Sequence, residues 1–493
     1  MIIPEELQKK CEALPYTRKK DLSDDVYKVT ASELGSMLEQ YGYANVLGVL
    51  ANLWTFDKTV KFFKKFGSFK KDNDKNKIKT IATSYDKAYI GGVTRVNAQL
   101  MDIWVSMGLK VILFTEEPEN PLDFQYPESV KRIIIPKSDI GTRLKALQHH
   151  CLEEHVDLFI SHDWTNHNII WECMLMNMHN IYFVVYCHGH FANCFRYGKS
   201  FLYQPEFFSL CDMVLAISET NAKFYQMCGC RTYFVHNPVP KDLIEVDSHV
   251  KEDSNRILFP GRIAEEKYPL EALEIFKRVH DRMSDVVLDV VGEGPLKNKM
   301  QEYVLRYGLE NCVFFHGAKT VDELDIFYRN AACVLFTSKM EGYPMMVLET
   351  KAYGLPLVMY EMPYLSLLKD GKGVLTAPVG NLSEMADSLM KVLSDNECRK
   401  ALGREARESF YEFKSHNHVT DWDNIFNILL GKPVPSIECY FSAEGLAESE
   451  KNILPVFIGE LIACTTKIEN SSDYRVGKAV LKLPRRIRHY LKK

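Results

Sequence analysis

The sequence contains no long apolar segment. No apolar run approaches the roughly 20 residues that a membrane-spanning helix needs. The N-terminus, MIIPEELQKKCE, also lacks the apolar core of a signal peptide. We therefore expect a cytoplasmic protein that stays on the side of the membrane where it is made.

Paired-cysteine motifs are missing as well. The 13 cysteines are odd in number and scattered without C-x-x-C spacing, and Cys228 and Cys230 stand too close together for a zinc knuckle. This pattern indicates reduced thiols in a cytosolic protein. The net charge is −4, so nothing in the overall charge predicts a nucleic-acid partner.

The chain does have the length and the apolar content of a multidomain globular protein. Its 493 residues, 46% hydrophobic and 26% charged, are enough for two or three domains with sizeable cores. Helical periodicity appears around Ala31 to Ala51 and in the Lys- and Phe-rich stretch from Lys58 to Lys77. We predict a mostly helical N-terminal extension over residues 1–76.

Short apolar runs typical of buried strands alternate with helical stretches from Lys79 onward. In the first half these runs lie at Ile81, 111–114, 133–135, 158–160, 182–186, 214–217 and 233–235. After a charged, proline-containing spacer, further runs follow at 257–259, 287–291, 313–315, 333–336 and 357–360. The alternation predicts two doubly wound α/β domains, over residues 77–240 and 254–430.

Two such Rossmann-like domains in tandem suggest the GT-B architecture, an α/β fold whose two domains face each other across a cleft. Ligands of open α/β sheets bind beyond the carboxyl ends of the strands. We therefore expect the active site in that cleft. Residues 431–493 are expected to form a C-terminal extension with a basic tail.

The stretch Thr337 to Pro356, TSKMEGYPMMVLETKAYGLP, carries two carboxylates, Glu341 and Glu349, with seven residues between them. Pro344 suits the first turn of a helix, because its missing N–H would have no intrahelical partner there. We predict a strand, a loop that holds Glu341, and a buried helix from about Pro344 that carries Glu349. The start of such a helix attracts anions. A lone buried Glu would more often be structural.

The pair resembles the E-x7-E signature of the retaining glycosyltransferases of family 4, which reads EG-aromatic-(G or P)-x4-E. The matching residues are Glu341, Gly342, Tyr343, Pro344 and Glu349, followed by Ala352, Gly354 and Pro356. The resemblance covers roughly residues 79–430. It implies a GT-B enzyme, hexosyltransferase-like, that moves a sugar from a nucleotide-diphosphate sugar with retention of the anomeric configuration. The first domain would lie on the acceptor side and the second would bind the donor.

Two further motifs of the second domain follow strands. Arg262 and Lys267 match the family's G-R-x4-K pattern, and a planar guanidinium with a mobile ammonium suits a diphosphate. Two unrelated surface cations are the alternative. Gly294 belongs to a Gly-Glu-Gly-Pro turn, which the resemblance places near the nucleotide.

The first domain contributes a glycine turn and two strand-end histidines. Gly91 and Gly92 precede a helix, and the family has a glycine loop after its first strand; alone, the pair would indicate a plain tight turn. His162 and His188 each follow a strand. We select His188, because the resemblance places a histidine near the donor sugar at its strand end. A half-buried structural histidine is the alternative.

The resemblance also implies a mechanism. Arg262, Lys267 and the helix amides near Met345 would stabilise the charge of the leaving diphosphate, so no metal or other cofactor is expected. Glu349 would hold the ribose hydroxyls, and Glu341 would bond hydroxyls of the donor sugar. Two alternatives stay open: a nucleotide-sugar epimerase of GT-B fold, and a non-catalytic accessory subunit that resembles a glycosyltransferase.

The partners are expected to be a nucleotide-sugar donor and a saccharide or lipid-linked acceptor, such as a growing surface polysaccharide or a glycolipid. The tail from Arg475, RVGKAVLKLPRRIRHYLKK, has eight cations and no acid. A basic, partly apolar segment suits an anionic membrane surface, which predicts a peripheral location on the inner face of the membrane. The alternative is a solvated basic end.

Overall fold

We analysed a computed structural model of the chain. The structure describes residues 5–19, 22–66, 76–89, 91–191, 204–246, 253–362, 365 and 372–434. The basic tail from Arg475, with its predicted membrane contact, lies outside these residues. Across the described ranges, no helix is long and apolar enough to cross a membrane.

The N-terminal region is helical, as the sequence predicts. Its helices are Glu5–Ala13, Pro15–Arg18, Asp24–Tyr41, Tyr43–Leu53 and Phe56–Phe66. Ser23 caps the third helix by accepting a hydrogen bond from the Val26 N–H. Gly42, at φ +79°, ends that helix and begins the next. Glycine adopts this conformation without strain, so the periodic stretch forms two helices rather than one.

A parallel sheet of seven strands follows. The strands are β1 (Thr80–Ser84), β2 (Lys110–Thr115), β3 (Lys131–Ile134), β4 (Leu158–Ser161), β5 (Tyr182–Cys187), β6 (Met213–Ala216) and β7 (Thr232–Phe234). Their order is β3-β2-β1-β4-β5-β6-β7. The intervening helices are Gly92–Ser106, Ile140–Glu153, Ile169–Met178, Gln204–Phe208 and Glu219–Met227. Helices cover both faces of such a sheet, so its central strands read as continuous apolar runs.

A second parallel sheet has six strands. They are β8 (Arg256–Pro260), β9 (Val287–Val291), β10 (Val313–Gly317), β11 (Cys333–Phe336), β12 (Leu357–Tyr360) and β13 (Val374–Ala377), in the order β10-β9-β8-β11-β12-β13. The helices here are Lys241–Ile244, Pro269–His280, Lys297–Tyr307, Val321–Asn330, Met345–Ala352, Leu382–Ser394 and Asn396–Lys414, with a 3-10 turn at Glu265–Lys267. The predicted fold class, two Rossmann-like domains after a helical extension, is confirmed.

Strand β13 has no counterpart in the sequence-based prediction. It is an edge strand of four residues, and its two central residues are only half-buried. An edge strand packs fewer apolar side chains than a central one. The sequence therefore shows no continuous apolar run at this position.

The chain divides into two compact units. The first comprises Met1–His236 and His418–Lys493, and the second comprises Asn237–Asn417. The last described helix, His418–Leu429, thus belongs to the first unit. Its Trp422 is buried and meets Trp104 edge-to-face, with the ring centroids 4.9 Å apart. This aromatic contact fixes the returning helix on the first unit.

Each sheet has one point where the strand order reverses. In the first sheet this point lies between β1 and β4, and in the second it lies between β8 and β11. Doubly wound sheets bind ligands beyond the carboxyl ends of the strands at such a point. The loops that follow these four strands are therefore the places where site residues are expected.

Candidate functional site

In the second unit, the loops after β8 and β11 meet through an ion pair. Lys267 Nζ lies 2.5 Å from Glu341 Oε1. The two residues are 74 positions apart, but β8 and β11 are neighbours in the sheet. The fold thus brings together one cation and one carboxylate that the sequence predicts as site residues.

Contacts to both its backbone and its side chain hold Lys267 in place. The Thr337 hydroxyl donates to the Lys267 backbone oxygen at 2.7 Å. The ammonium lies 5.5 Å from the centroid of the Phe336 ring. The side chains of Lys267 and Glu341 are only 25% and 15% exposed. Partial burial lowers the local dielectric constant and strengthens the attraction between the two charges.

Arg262 is oriented differently from Lys267. Its guanidinium pairs with Glu266, four positions further along the chain, and the Arg262 side chain is 69% exposed. The described contacts therefore connect Arg262 to Glu266 and not to the Lys267–Glu341 pair. Such an exposed pair is weak and easily exchanged for another partner.

The glycine turn after β9 packs directly on the Arg262 loop. A Cβ atom on Gly292 would lie 1.9 Å from the Gly261 oxygen, and one on Gly294 would lie 2.2 Å from the Ile263 oxygen. The Ile263 N–H donates to the Glu293 oxygen at 2.9 Å. Only glycine allows this approach of two backbones, so Gly294 positions the loop that carries Arg262.

The predicted helix after β11 is Met345–Ala352, with Pro344 as its N-cap residue. Gly342 is buried, and Tyr343 is 9% exposed. The hydroxyl oxygens of Tyr343 and Ser338 are buried and make no hydrogen bond to any described group. Burial raises the pKa of Tyr343 well above its usual value. This loop therefore presents neutral polar groups, along with free helix amides, beside Glu341.

Glu349 lies half-buried on the second turn of this helix. The Tyr328 hydroxyl donates to Glu349 Oε2 at 2.7 Å. Tyr328 itself stacks on Tyr353, with the ring centroids 4.8 Å apart and the planes 7° from parallel. The tyrosine pair fixes the carboxylate orientation. Tyr328 gave no signal in the sequence, because its helix approaches Glu349 only through tertiary packing.

A second charged group beside Lys267 also escaped the sequence analysis. Lys339 pairs with Glu271, which accepts a hydrogen bond from the Tyr360 hydroxyl at 2.6 Å. The Lys339 ammonium lies 4.0 Å from the centroid of the Tyr268 ring. Tyr268 has φ +48°, a conformation that is uncommon outside glycine. The one sequence clue was position, since Lys339 and Tyr268 flank the predicted motifs.

In the first unit, Gly91 and Gly92 form the start of the Gly92–Ser106 helix, as predicted. Gly91 has φ +125° and serves as the N-cap residue. The Thr94 hydroxyl donates to the Gly91 oxygen at 2.8 Å. Both glycines are exposed. The turn therefore leaves the first helix amides open to an anion or a polar ligand.

The predicted residue His188 pairs with His162, the strand-end histidine that was not selected. His188 Nε2 lies 2.8 Å from His162 Nδ1. The Tyr186 ring stacks on both imidazoles, with centroids 4.5 Å from His188 and 5.1 Å from His162. Burial lowers the pKa of His162 to about 3. Burial and the neighbouring His162 hold the pKa of His188 well below its usual value. Both imidazoles are therefore neutral at physiological pH.

The loop after His188 is held by close packing. A Cβ atom on Gly189 would lie 2.1 Å from the Trp164 ring, so a larger residue there would force that ring to move. The Asn221 amide donates to the Gly189 oxygen and accepts from the Phe191 N–H, both at 2.9 Å. These contacts fix the direction in which His188 leaves β5.

A largely buried charge cluster, which the sequence did not predict, lies at the carboxyl ends of the neighbouring strands. Arg143 contacts Glu172 at 2.6 Å, Glu116 at 3.1 Å and the Ser84 hydroxyl at 3.3 Å. Burial, with a smaller effect from Glu172, raises the pKa of Asp163. The cluster links the ends of β1, β2 and β4. Its residues are scattered in the sequence, so no local pattern could reveal it.

Two family models match successive parts of the chain. The first, described as Glycosyltransferase Family 4, matches residues 90–243. The second, described as Glycosyl transferases group 1, matches residues 241–409. The two matches correspond to the two Rossmann-like domains.

The curated relatives include several glycosyltransferases at low identity. An uncharacterized glycosyltransferase of Methanocaldococcus jannaschii is 25% identical over 300 residues, 56% of this chain and 69% of the relative. The poly(glycerol-phosphate) alpha-glucosyltransferase of Bacillus subtilis is 22% identical over 46% of this chain and 36% of its own length. The amylovoran biosynthesis glycosyltransferase AmsD of Erwinia amylovora is 25% identical over 40% and 56%, respectively. The chain thus spans between about a third and about two thirds of these relatives.

Solved structures share the fold. Sucrose-phosphate synthase from Thermosynechococcus elongatus superposes with a TM-score of 0.60 at 16% identity, over 72% of this chain and 99% of its own. TarM of S. aureus, solved in complex with fondaparinux, alpha-GlcNAc-glycerol and UDP, has a TM-score of 0.60 at 14% identity, over 71% and 100%. This likeness confirms the GT-B fold.

Proposed function

We propose that this chain, whose two Rossmann-like domains match glycosyltransferase family models, transfers a hexose from a nucleotide-diphosphate sugar to a saccharide or lipid-linked acceptor, with retention at the anomeric carbon. One observation carries this proposal. Lys267 and Glu341 form an ion pair at the reversal point of the second sheet, and Glu341 lies in the loop that leads into the Met345–Ala352 helix.

The cations of this site suit a leaving diphosphate. As the glycosidic bond breaks, negative charge gathers on the phosphates, and Lys267, Arg262 and the helix amides near Met345 stabilise it. Each cation is paired with a carboxylate, Lys267 with Glu341 and Arg262 with Glu266. A diphosphate would compete for both cations, which frees Glu341 to accept hydrogen bonds from sugar hydroxyls. We propose that these charges replace a metal ion.

Glu349 completes the donor site in this proposal. A carboxylate held by Tyr328 at 2.7 Å can accept two hydrogen bonds from the ribose hydroxyls. His188, neutral and fixed by His162, would donate to or accept from a hydroxyl of the donor sugar. Gly91, Gly92 and Gly294 would let the backbone approach the bound groups.

The names of similar proteins support a surface polymer as acceptor. The curated relatives include a poly(glycerol-phosphate) glucosyltransferase and an amylovoran biosynthesis enzyme. Among the solved structures of the same fold, Anabaena HepE was crystallised with UDP-glucose. We propose a growing surface polysaccharide or a glycolipid as the acceptor, made by an enzyme peripheral to the inner face of the membrane.

A panel of nucleotide sugars, tested by thermal shift, identifies the donor. The stabilising nucleotide is then titrated calorimetrically into the native protein and into Lys267→Ala. Arg278→Ala is the matched control, since Arg278 forms an exposed helical ion pair with Glu274 away from the predicted motifs. We expect Lys267→Ala to weaken binding and Arg278→Ala to leave it unchanged. Equal affinity in all three proteins would remove Lys267 from the donor site.

The same donor, incubated without acceptor, separates the alternatives. Conversion to an epimeric nucleotide sugar would indicate an epimerase, and binding without turnover on any acceptor would indicate an accessory subunit. With acceptor, NMR of the first product gives the anomeric configuration. An inverted product would contradict the retaining mechanism.

A further inference from the structure

The end of the Ile140–Glu153 helix gathers nitrogen and oxygen donors that the proposed transfer reaction does not use. His149, His150 and Glu153 each offer one ligand atom, and these atoms lie within 4.8 Å of one another. Glu153 Oε2 is 3.8 Å from His149 Nε2 and 3.5 Å from His150 Nδ1. Ligand atoms bound to tetrahedral zinc at about 2.0–2.1 Å lie roughly 3.3 Å apart. Small side-chain rotations would therefore bring the three ligand atoms to the spacing that one zinc ion requires.

The three side chains differ in exposure in a way that suits an ion arriving from solvent. The side chains of His149 and Glu153 are 69% and 55% exposed, whereas that of His150 is 29% exposed. His150 Nδ1 is buried and forms no hydrogen bond to any described group. It lies beside the Glu153 carboxylate. His150 is therefore the most buried of the three candidate ligands, while His149 and Glu153 face the solvent.

A cavity of about 470 Å³ opens beside the cluster, and its wall includes His149 and Glu153 together with Asn45 and Gln148. Three protein ligands leave at least one coordination position of a zinc ion to water. The cavity has room for that water. Asn45 belongs to the Tyr43–Leu53 helix, so the site adjoins the N-terminal helical extension.

The position on the helix also favours a cation. All three residues lie in the last turn and a half of the Ile140–Glu153 helix. The unpaired carbonyl groups there give the helix end a partial negative charge. Lys145 also lines the cavity, one turn before His149, and its charge opposes this effect.

We propose that His149, His150 and Glu153 bind a divalent transition-metal ion, with Zn²⁺ as the best match. Two imidazole nitrogens and a carboxylate oxygen are donors that zinc accepts, and calcium or magnesium would require more oxygen ligands. The ion cross-links the last turns of the helix. It is separate from the residues proposed for sugar transfer, so it plays no part in that reaction.

Binding of Zn²⁺ and Co²⁺ to the chelator-treated full-length protein tests the proposal. The first equivalent of Co²⁺ should give visible d–d absorption without the charge-transfer absorption of a thiolate ligand. His149→Ala and Glu153→Gln should each weaken Zn²⁺ binding by more than the roughly 10–100-fold that loss of an outer-shell partner costs. The matched control is His155→Asn, an exposed histidine just beyond the helix whose φ of +53° asparagine tolerates; it should bind normally.

Three results would overturn the proposal: no binding of the first equivalent, thiolate absorption at that equivalent, or equal affinity in the native protein and both variants. Circular dichroism shows whether each variant keeps its helices. If a variant loses helical signal, His149→Gln is measured in its place, and it should show the same loss of Zn²⁺ affinity. Loss of binding with an unchanged spectrum supports the site, whatever the transferase assays show.

Discussion

Lys267 and Glu341 lie 74 positions apart in the chain, yet they form an ion pair at the ends of neighbouring strands. Motif spacing predicted each residue separately. Their pairing depends on the crossover that places β11 beside β8, and no local pattern encodes it. The same holds for Tyr328 and Glu349, which tertiary packing joins. For single residues, the sequence thus predicts candidate site residues but not the partners that they contact in the fold.

Donor binding should depend on Glu349 more than on Arg262. A lost charge-assisted hydrogen bond is worth roughly 1.5–3 kcal/mol, or about one to two decades of affinity. We expect a loss in this range for Glu349→Gln. We expect a smaller one for Arg262→Ala, because the Arg262 side chain is 69% exposed and solvent screens its charge. Calorimetric titration of the donor measures both; unchanged affinity in both variants would refute the assigned donor site.

Glu341→Gln should reduce turnover more than donor binding. The substitution removes the carboxylate that competes with phosphate for Lys267, so affinity for the nucleotide should be kept or even increase. The sugar hydroxyls lose a charged acceptor, and the rate should fall. Steady-state kinetics, with kcat and KM determined separately, decide this. A pure KM effect would contradict the role assigned to Glu341.

The neutral histidine pair predicts an acid-sensitive first unit. In the unfolded chain a histidine protonates near pH 6.5, whereas burial lowers the folded-state pKa of His162 to about 3. The contribution of His162 to the free energy of unfolding is therefore fully present above pH 6.5. It is lost as pH falls from 6.5 toward 3, by at most ~1.4 kcal/mol per pH unit.

Urea unfolding between pH 7 and pH 4 measures this dependence, and His162→Asn should flatten it. Gly35→Ala serves as the control, since it removes no titratable group and nothing lies within 4 Å of that position; it should not change the slope. Equal slopes in the native protein and His162→Asn would show that His162 titrates normally.

At the scale of elements, the sequence predicted most strands because buried parallel strands are short apolar runs between turns. It missed β13, a half-buried edge strand. Apolar periodicity reports burial, so it gives little signal for an edge strand. It also does not mark Gly42, where the structure divides the periodic stretch into two helices.

The glycine turn after β9 packs so closely on the Arg262 loop that a larger residue there should reduce both stability and donor affinity. Gly294→Ala places a Cβ atom 2.2 Å from the Ile263 oxygen, so the backbone of the Arg262 loop must move. Overpacking of this kind costs typically about 1–3 kcal/mol, and donor affinity should fall with it. Gly35→Ala is the matched control, because nothing lies within 4 Å of that position and alanine favours a helix.

Chemical denaturation and donor titration of both variants test this. We expect Gly294→Ala to lose stability and affinity, and Gly35→Ala to lose neither. If Gly294→Ala were as stable as the native protein, the close backbone packing would not hold in solution.

For the whole molecule, each unit presents loops at the reversal point of its own sheet, and the chemistry proposed for them needs no metal. We expect transferase activity to survive excess EDTA, since protein cations stabilise the diphosphate. Zinc at His149, His150 and Glu153 would be removed by the same treatment without loss of turnover. Inactivation that Mg²⁺ or Mn²⁺ reverses would contradict the assignment of Arg262 and Lys267.

We propose that any membrane contact is made by the basic tail rather than by the Phe-rich helix near the N-terminus. In the Phe56–Phe66 helix, Phe62 and Phe63 are fully buried against the helical extension. Lys61 and Lys65 pair with Asp57 and Asp24. Its apolar face is thus occupied and two of its charges are partly neutralised, so it offers little to a lipid surface.

The tail from Arg475 has eight cations and no acid, and each cation near an anionic surface contributes about 1 kcal/mol. Even half of them engaged would hold the chain at the membrane. We expect the full-length protein to sediment with anionic but not with neutral vesicles, and less at high salt, because screening shortens the reach of the charges. A truncation after Ser472 should stay in the supernatant while it keeps its donor affinity. Equal sedimentation of both proteins would move the membrane contact to another part of the chain.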